Sequence, residues 1–287
     1  MKFNNIYKLF LGVTILLLVN AANSQEKERK AEFLGADHYF DPLILDPVEC
    51  QSFGSLYAYW ENGEKQDMIY SPLALGFQLP VVHWDKGEHG FEIGFMTTIF
   101  FQFEFLDPGG RFLINLINTD FKVGIPFVYR LKKFSLRTSF YHVSSHFSEE
   151  YIFRNNLIYF GNNYNTYEAF DFHASWDFTR MRYYGGIGIV VNSPYGRGIW
   201  KFQGGFLFRS PVKKGSKFNY IAGADLQVQE ETNWGFNAQL GAGIEMIYRP
   251  GRTFQLMLQY FNGYLPYSQY TKLKVSYLGA SLIGHPF

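Results

Sequence analysis

Between Phe91 and Phe105 the chain reads FEIGFMTTIFFQFEF, and its side chains alternate with a period of two. Phe91, Ile93, Phe95, Thr97, Ile99, Phe101, Phe103 and Phe105 fall on one face, and Glu92, Gly94, Met96, Thr98, Phe100, Gln102 and Glu104 on the other. Neighbouring side chains of a β-strand point to opposite sides, so this stretch reads as a strand with one oily wall and one largely polar or small one. It is longer than a common strand of about 5–6 residues. It exceeds the roughly 9–11 residues that a tilted strand needs to cross a bilayer.

The same rhythm recurs along the chain and predicts about twelve strands. They fall near residues 52–60, 68–82, 91–105, 113–129, 134–146, 170–178, 183–191, 200–209, 220–228, 234–248, 253–262 and 271–283. Aromatic residues make up 20% of the chain and charged residues 18%, yet mean hydropathy is only −0.13. A heavy aromatic load with middling hydropathy fits strands that are apolar on one face only. A soluble β-sandwich shares the alternation, usually with shorter strands. The expected fold is therefore all-β, a transmembrane antiparallel β-barrel of the bacterial outer membrane, with outer-membrane lipids as its surroundings.

The N-terminus reads as a signal peptide over residues 1–24, with Lys2 and Lys8 ahead of the apolar run Leu9 to Val19 and small residues at Ala22-Asn23-Ser24. Residues 25–51, broken by Pro42 and Pro47, read as an extended periplasmic segment leading into a barrel over 52–287; a plug is the alternative. Without Lys2 and Lys8 the chain holds 24 basic and 25 acidic residues, a balance that predicts no nucleic-acid partner. Cys50 is the sole cysteine, so no disulfide can form within the chain. An even strand number puts both termini on the periplasmic side, where turns are short. Arg130 to Lys133, Thr179-Arg180 and Arg249 to Arg252 suit such turns, and the asparagine-rich connection Phe147 to Thr166 suits an external loop. The terminal Phe287 suits the signal read by the barrel-assembly machinery.

One constellation could carry chemistry. Tyr141-His142-Val143-Ser144-Ser145-His146 closes the fifth strand, followed by Phe147-Ser148-Glu149-Glu150. Arg137 shares a face with Ser139, Tyr141, Val143 and Ser145, and an arginine on the lipid side costs roughly 2–4 kcal/mol near the midplane. That face is therefore read as the lumen, which leaves His142, Ser144 and His146 facing the membrane. An imidazole beside a hydroxyl can accept its proton, and a carboxylate, here Glu150, could orient the imidazole. Metal ligation by His142, His146 and Glu149 or Glu150 is another reading. A third is plain: polar side chains tying a loop to a strand end. On the sixth strand Asp171, His173, Ser175 and Asp177 face inward, as lumen filling or a proton relay. No cofactor motif is present in the sequence.

The His142-x-Ser144 pair on an outward strand resembles the active-site motif of outer-membrane phospholipase A and of the lipid A deacylase barrels. That resemblance implies cleavage of acyl esters of membrane lipids by His142 and Ser144. Ser145 and His146 stand where the phospholipase commonly has Asn-Gly. Over most of its length the chain also resembles an uncharacterised family of bacterial outer-membrane barrels, a domain of unknown function (DUF1207-like), with the signature H-x-S-S-H. The matching pieces are His142 to Tyr151, Phe40-Asp41-Pro42-Leu43 with Asp46-Pro47, Arg182 to Gly186, and Ala224-Asp225. Two functions follow as expectations: a non-enzymatic envelope, surface or narrow-transport barrel, and, as the alternative, a lipid acyl hydrolase of the outer leaflet using Ser144, His142 and Glu150.

Overall fold

A computed structural model describes residues 30–33, 38–106, 113–154, 166–193, 197–211, 218–249, 252–267 and 272–284. The expected signal peptide, the asparagines at 155–165 and Phe287 lie outside the described residues. The strands are β1 (Lys30–Phe33), β2 (Ser52–Glu61), β3 (Glu64–Lys86), β4 (His89–Leu106), β5 (Leu113–Leu131), β6 (Phe134–Phe147), β7 (Tyr167–Asp177), β8 (Met181–Asn192), β9 (Trp200–Arg209), β10 (Phe218–Gln229), β11 (Gly235–Arg249), β12 (Arg252–Tyr264) and β13 (Lys274–Gly284). A short helix, α1 (Glu149–Arg154), follows β6. From β2 to β13 each strand pairs antiparallel with the next, and β13 returns to β2 through Val275↔Glu61 to Gly284↔Ser52. Twelve strands thus close a cylinder, and closure satisfies the backbone groups that lipid cannot. β1 is an addition: it pairs with Val82 to Asp85 of β3, beyond the reach of the shorter β2.

Turn chemistry sets the registers. Leu131↔Phe134 and Lys86↔His89 each bracket two-residue connections at the end where β2 begins and β13 ends. At the opposite end Glu61↔Glu64 brackets Asn62-Gly63, both with positive φ, as a tight hairpin turn requires. The outward wall is apolar: Phe121, Val123, Ile125, Leu136 and Phe140 are all exposed. The inward wall is polar and buried, with Glu92, Thr98, Gln102, Asn118, Arg137, Asp171 and Gln203 among it.

That inward wall is buried because the chain fills its own lumen. Residues 38–51, expected as a leader outside the barrel, lie within it. Tyr39, Phe40, Leu43, Ile44, Leu45, Asp46, Glu49, Cys50 and Gln51 are all buried. Pro42 and Pro47 lack the N–H that a ladder strand must donate, so the segment cannot simply add to the sheet. It coils instead through turns closed by Asp46 N–H to Leu43 O at 2.8 Å and Glu49 N–H to Asp46 O at 3.1 Å. Its polar groups then meet the wall radially. Glu49 pairs with Arg137 at 2.7 Å. Asp46 accepts from the side-chain amides of Gln203 and Gln227, each at 3.1 Å. The Lys122 ammonium donates to Val48 O at 3.0 Å, and Arg182 donates to Asp41 O and Pro42 O. Buried polar groups are tolerated when paired in this way. From the other end, Tyr267 beyond β12 reaches down and donates to Pro47 O at 2.7 Å. A cavity between this segment and β2, β11, β12 and β13 measures about 20 Å³, room for roughly one water molecule.

Candidate functional site

The alternation of β6 divides its H-x-S-S-H run between two environments. Ser145 turns inward and donates to Asp120, which also accepts from Asn118. Tyr141 turns inward as well, and its hydroxyl donates to Asp171 at 3.2 Å. His142, Ser144 and His146 face outward, as the inward reading of Arg137 requires. The structure places Arg137 in the lumen, 5% exposed.

On the outer face His142 stands directly opposite Glu168 of β7, and Ser144 opposite Phe121 of β5. His142 Nδ1 lies 2.8 Å from Glu168 Oε1, with both side chains partly exposed. The other carboxylate oxygen, Glu168 Oε2, accepts from Asn192 Nδ2 of β8 at 2.7 Å. A polar row therefore crosses β6, β7 and β8 at their outer ends. One step further from that end the wall is oily again, with Phe140 and Phe170 in ring contact at 4.9 Å. On its other side the row borders apolar wall, where the exposed Val123 and Phe121 of β5 stand opposite His142 and Ser144.

The carboxylate on His142 is thus Glu168. Glu150, the sequence-based candidate, opens α1 and is exposed to solvent. Chain proximity put Glu150 on α1, which Ser148 caps through Tyr151 N–H, whereas strand pairing brings Glu168 of β7 directly opposite His142. A signal for Glu168 was present: it shares the outward parity of Phe170 and Phe172, and a carboxylate on a lipid-facing parity is out of place unless paired. The metal reading is not supported: among the described residues no group of three or more His, Cys, Asp or Glu side chains converges. His146 instead lies against the Phe121 ring at 6.3 Å.

The second polar group is lumen filling. Asp171 accepts from Tyr141, His173 Nε2 meets Gln203 at 2.9 Å, and Ser175 accepts from Arg182 at 2.8 Å and donates to Asp177. Gly186 makes this packing possible, since a Cβ there would lie 2.3 Å from the His173 ring.

The barrel is similar in fold to solved outer-membrane proteins. An active-site mutant of the outer membrane phospholipase A from Escherichia coli aligns with a TM-score of 0.55 at 11% identity, over 88% of this chain and 96% of that one. The Salmonella typhi outer membrane phospholipase dimer with bound calcium aligns with a TM-score of 0.53 at 11% identity, over 84% and 94%. The β domain of the Bordetella autotransporter BrkA aligns with a TM-score of 0.47 at 11% identity, over 82% and 97%. No curated protein is similar in sequence. The twelve-strand closure and its oily outer wall make this an outer-membrane β-barrel, and the match of residues 20–285 to the family described as "Protein of unknown function (DUF1207)" shows that the chain belongs to that family.

Proposed function

We propose that this barrel is an acyl-ester hydrolase of outer-leaflet lipids. The observation that carries the reading is the His142–Glu168 contact at 2.8 Å on the membrane-facing wall, with Ser144 on the same face of the same strand. With its Nδ1–H directed at Glu168, the His142 ring keeps Nε2 as a base. Ser144 Oγ attacks the ester carbonyl and His142 takes its proton. Glu168 stabilises the imidazolium that forms. His142 then returns the proton to the departing lyso-lipid alkoxide. Water, activated by the same imidazole, releases the acyl chain as a fatty acid and restores Ser144. A polar row set in an oily outer wall suits this substrate, because a lipid ester joins an apolar chain to a polar headgroup. Two structural neighbours are phospholipases by name; at their identity the likeness speaks for the fold, and the chemistry rests on the residues.

A second reading draws on the lumen. A barrel filled by its own chain can serve as a non-enzymatic envelope or surface protein, with the His142–Glu168–Asn192 row tying strand ends together. The filled lumen speaks against narrow transport. Mass-spectrometric lipid analysis of membranes carrying wild type or Ser144→Ala separates the two. The hydrolase reading expects free fatty acid and lyso-lipid with wild type and neither with the variant. Identical profiles favour the scaffold.

A further inference from the structure

The geometry points to Asn192 as a positioning residue, swung onto the outer wall by a β-bulge so that it holds the Glu168 carboxylate against His142; this rests on the hydrolase reading above. Along β8 the inward parity runs through Arg182, Tyr184, Gly186 and Gly188, opposite Asp177, Ser175, His173 and Asp171 of β7. By that parity Val191 belongs outside and Asn192 inside. The register breaks just there. Ala169 pairs with Val190, but Glu168 pairs with Asn192, leaving Val191 as an extra residue. A bulge of this kind bends its strand and re-aims a side chain. Its effect here is specific. In an unbroken ladder Val191, an apolar side chain, would stand opposite Glu168. With the bulge the Asn192 amide stands there and donates to Glu168 Oε2 at 2.7 Å.

The consequence is chemical. A half-exposed glutamate has several rotamers open to it, and one bond to His142 leaves the carboxylate free to swing into water. A second bond to its other oxygen fixes the carboxylate plane. That fixes the imidazole in turn, as outer partners of a functional histidine do. Asn192 touches no reacting atom, so it acts only through Glu168.

The test uses the full-length barrel refolded in detergent, with its folded state confirmed by its shifted migration on unheated gels. Asn192→Leu is expected to lower kcat on a soluble short-chain ester by about 10-fold at unchanged KM, since orientation of a general base affects the transition state rather than binding. Asn192→Gln, which keeps an amide donor, is expected to recover much of the loss. In parallel, ¹⁵N NMR follows the hydrogen-bonded Nδ1 proton of His142, which is expected to be sharp in wild type and exchange-broadened in Asn192→Leu. Wild-type kcat together with an unaltered Nδ1 signal in Asn192→Leu would overturn the positioning role. A wild-type protein that cleaves no ester, while the Nδ1 signal still depends on Asn192, supports the positioning role and counts against the hydrolase reading alone.

Discussion

Arg137 of β6 and Glu49 of the lumen segment meet at 2.7 Å with both side chains almost fully buried. A second guanidinium nitrogen of Arg137 reaches Glu49 Oε1 at 3.3 Å and Gln78 Oε1 at 3.2 Å. The pair joins positions 88 residues apart in sequence and fastens the coil of residues 38–51 to the wall. Removing one partner leaves the other charged, buried and unpaired, which costs about 3–5 kcal/mol. Glu49→Ala is therefore expected to loosen the segment. Cys50, buried beside it, is the reporter. In wild type a thiol reagent should label Cys50 only slowly, and in Glu49→Ala much faster. Equal labelling rates in the two proteins would mean that the pair does not hold the segment in place.

The same pair makes a prediction about acid. Burial alone would raise the Glu49 carboxyl, but the Arg137 guanidinium, helped by the Lys122 ammonium, reverses this and holds Glu49 well below the usual carboxylate range. A carboxyl whose folded pKa is depressed stabilises the fold above its unfolded value, about 4.3 for glutamate. That stabilisation is lost as pH falls from there through the depressed folded value. The lumen segment should thus stay docked at pH 4 and loosen only in stronger acid. A pyridyl disulfide, which reacts with thiols in acid, would follow Cys50 down the pH scale. Release near pH 5 would contradict the assignment.

Inside the barrel the Tyr267 hydroxyl, from beyond β12, donates to Pro47 O of the lumen segment at 2.7 Å. Tyr267 also packs on Phe100 at 5.5 Å between ring centroids. The wild-type protein should therefore show no steady conductance in a planar bilayer. A Glu49→Ala/Tyr267→Ala double variant removes both fastenings and should show discrete openings. Steady pore currents from the wild type would revive the transport reading.

How much of this was legible in the residues follows from range. The strands are local patterns, so period-two counting found the twelve that close the barrel, though not the short β1, and the single charge of Arg137 oriented β6. The filled lumen was not legible in the same way. Residues 38–51 have no period, and their burial depends on partners as distant as Gln227 and Tyr267, which no window along the chain brings together. The functional row falls between these cases. His142 and Ser144 stood out because they break an oily face, and Glu168 breaks the same face on the next strand. Asn192 could not be found by counting, because its outward position exists only through the bulge at Val191.

The two carboxylates weighed for His142 give the sharpest comparison. Glu168 touches the imidazole at 2.8 Å, whereas Glu150 sits on the exposed first turn of α1. Replacing either by glutamine keeps size and removes charge, so folding is little disturbed. Glu168→Gln takes away the anion that stabilises the imidazolium, and the amide can present its NH₂ and favour the wrong tautomer. In a deeply buried triad that change costs about 10⁴-fold in kcat. At this half-exposed position water screens the charge, so a loss of about 10- to 100-fold is expected. Glu150→Gln should leave kcat within about 2-fold of wild type, because a solvated helix-start carboxylate away from the ring has little to give. The check is kcat on the same short-chain ester for wild type and both variants. If Glu150→Gln falls and Glu168→Gln does not, the contact between β6 and β7 is a strand tie, and the orienting group lies on α1.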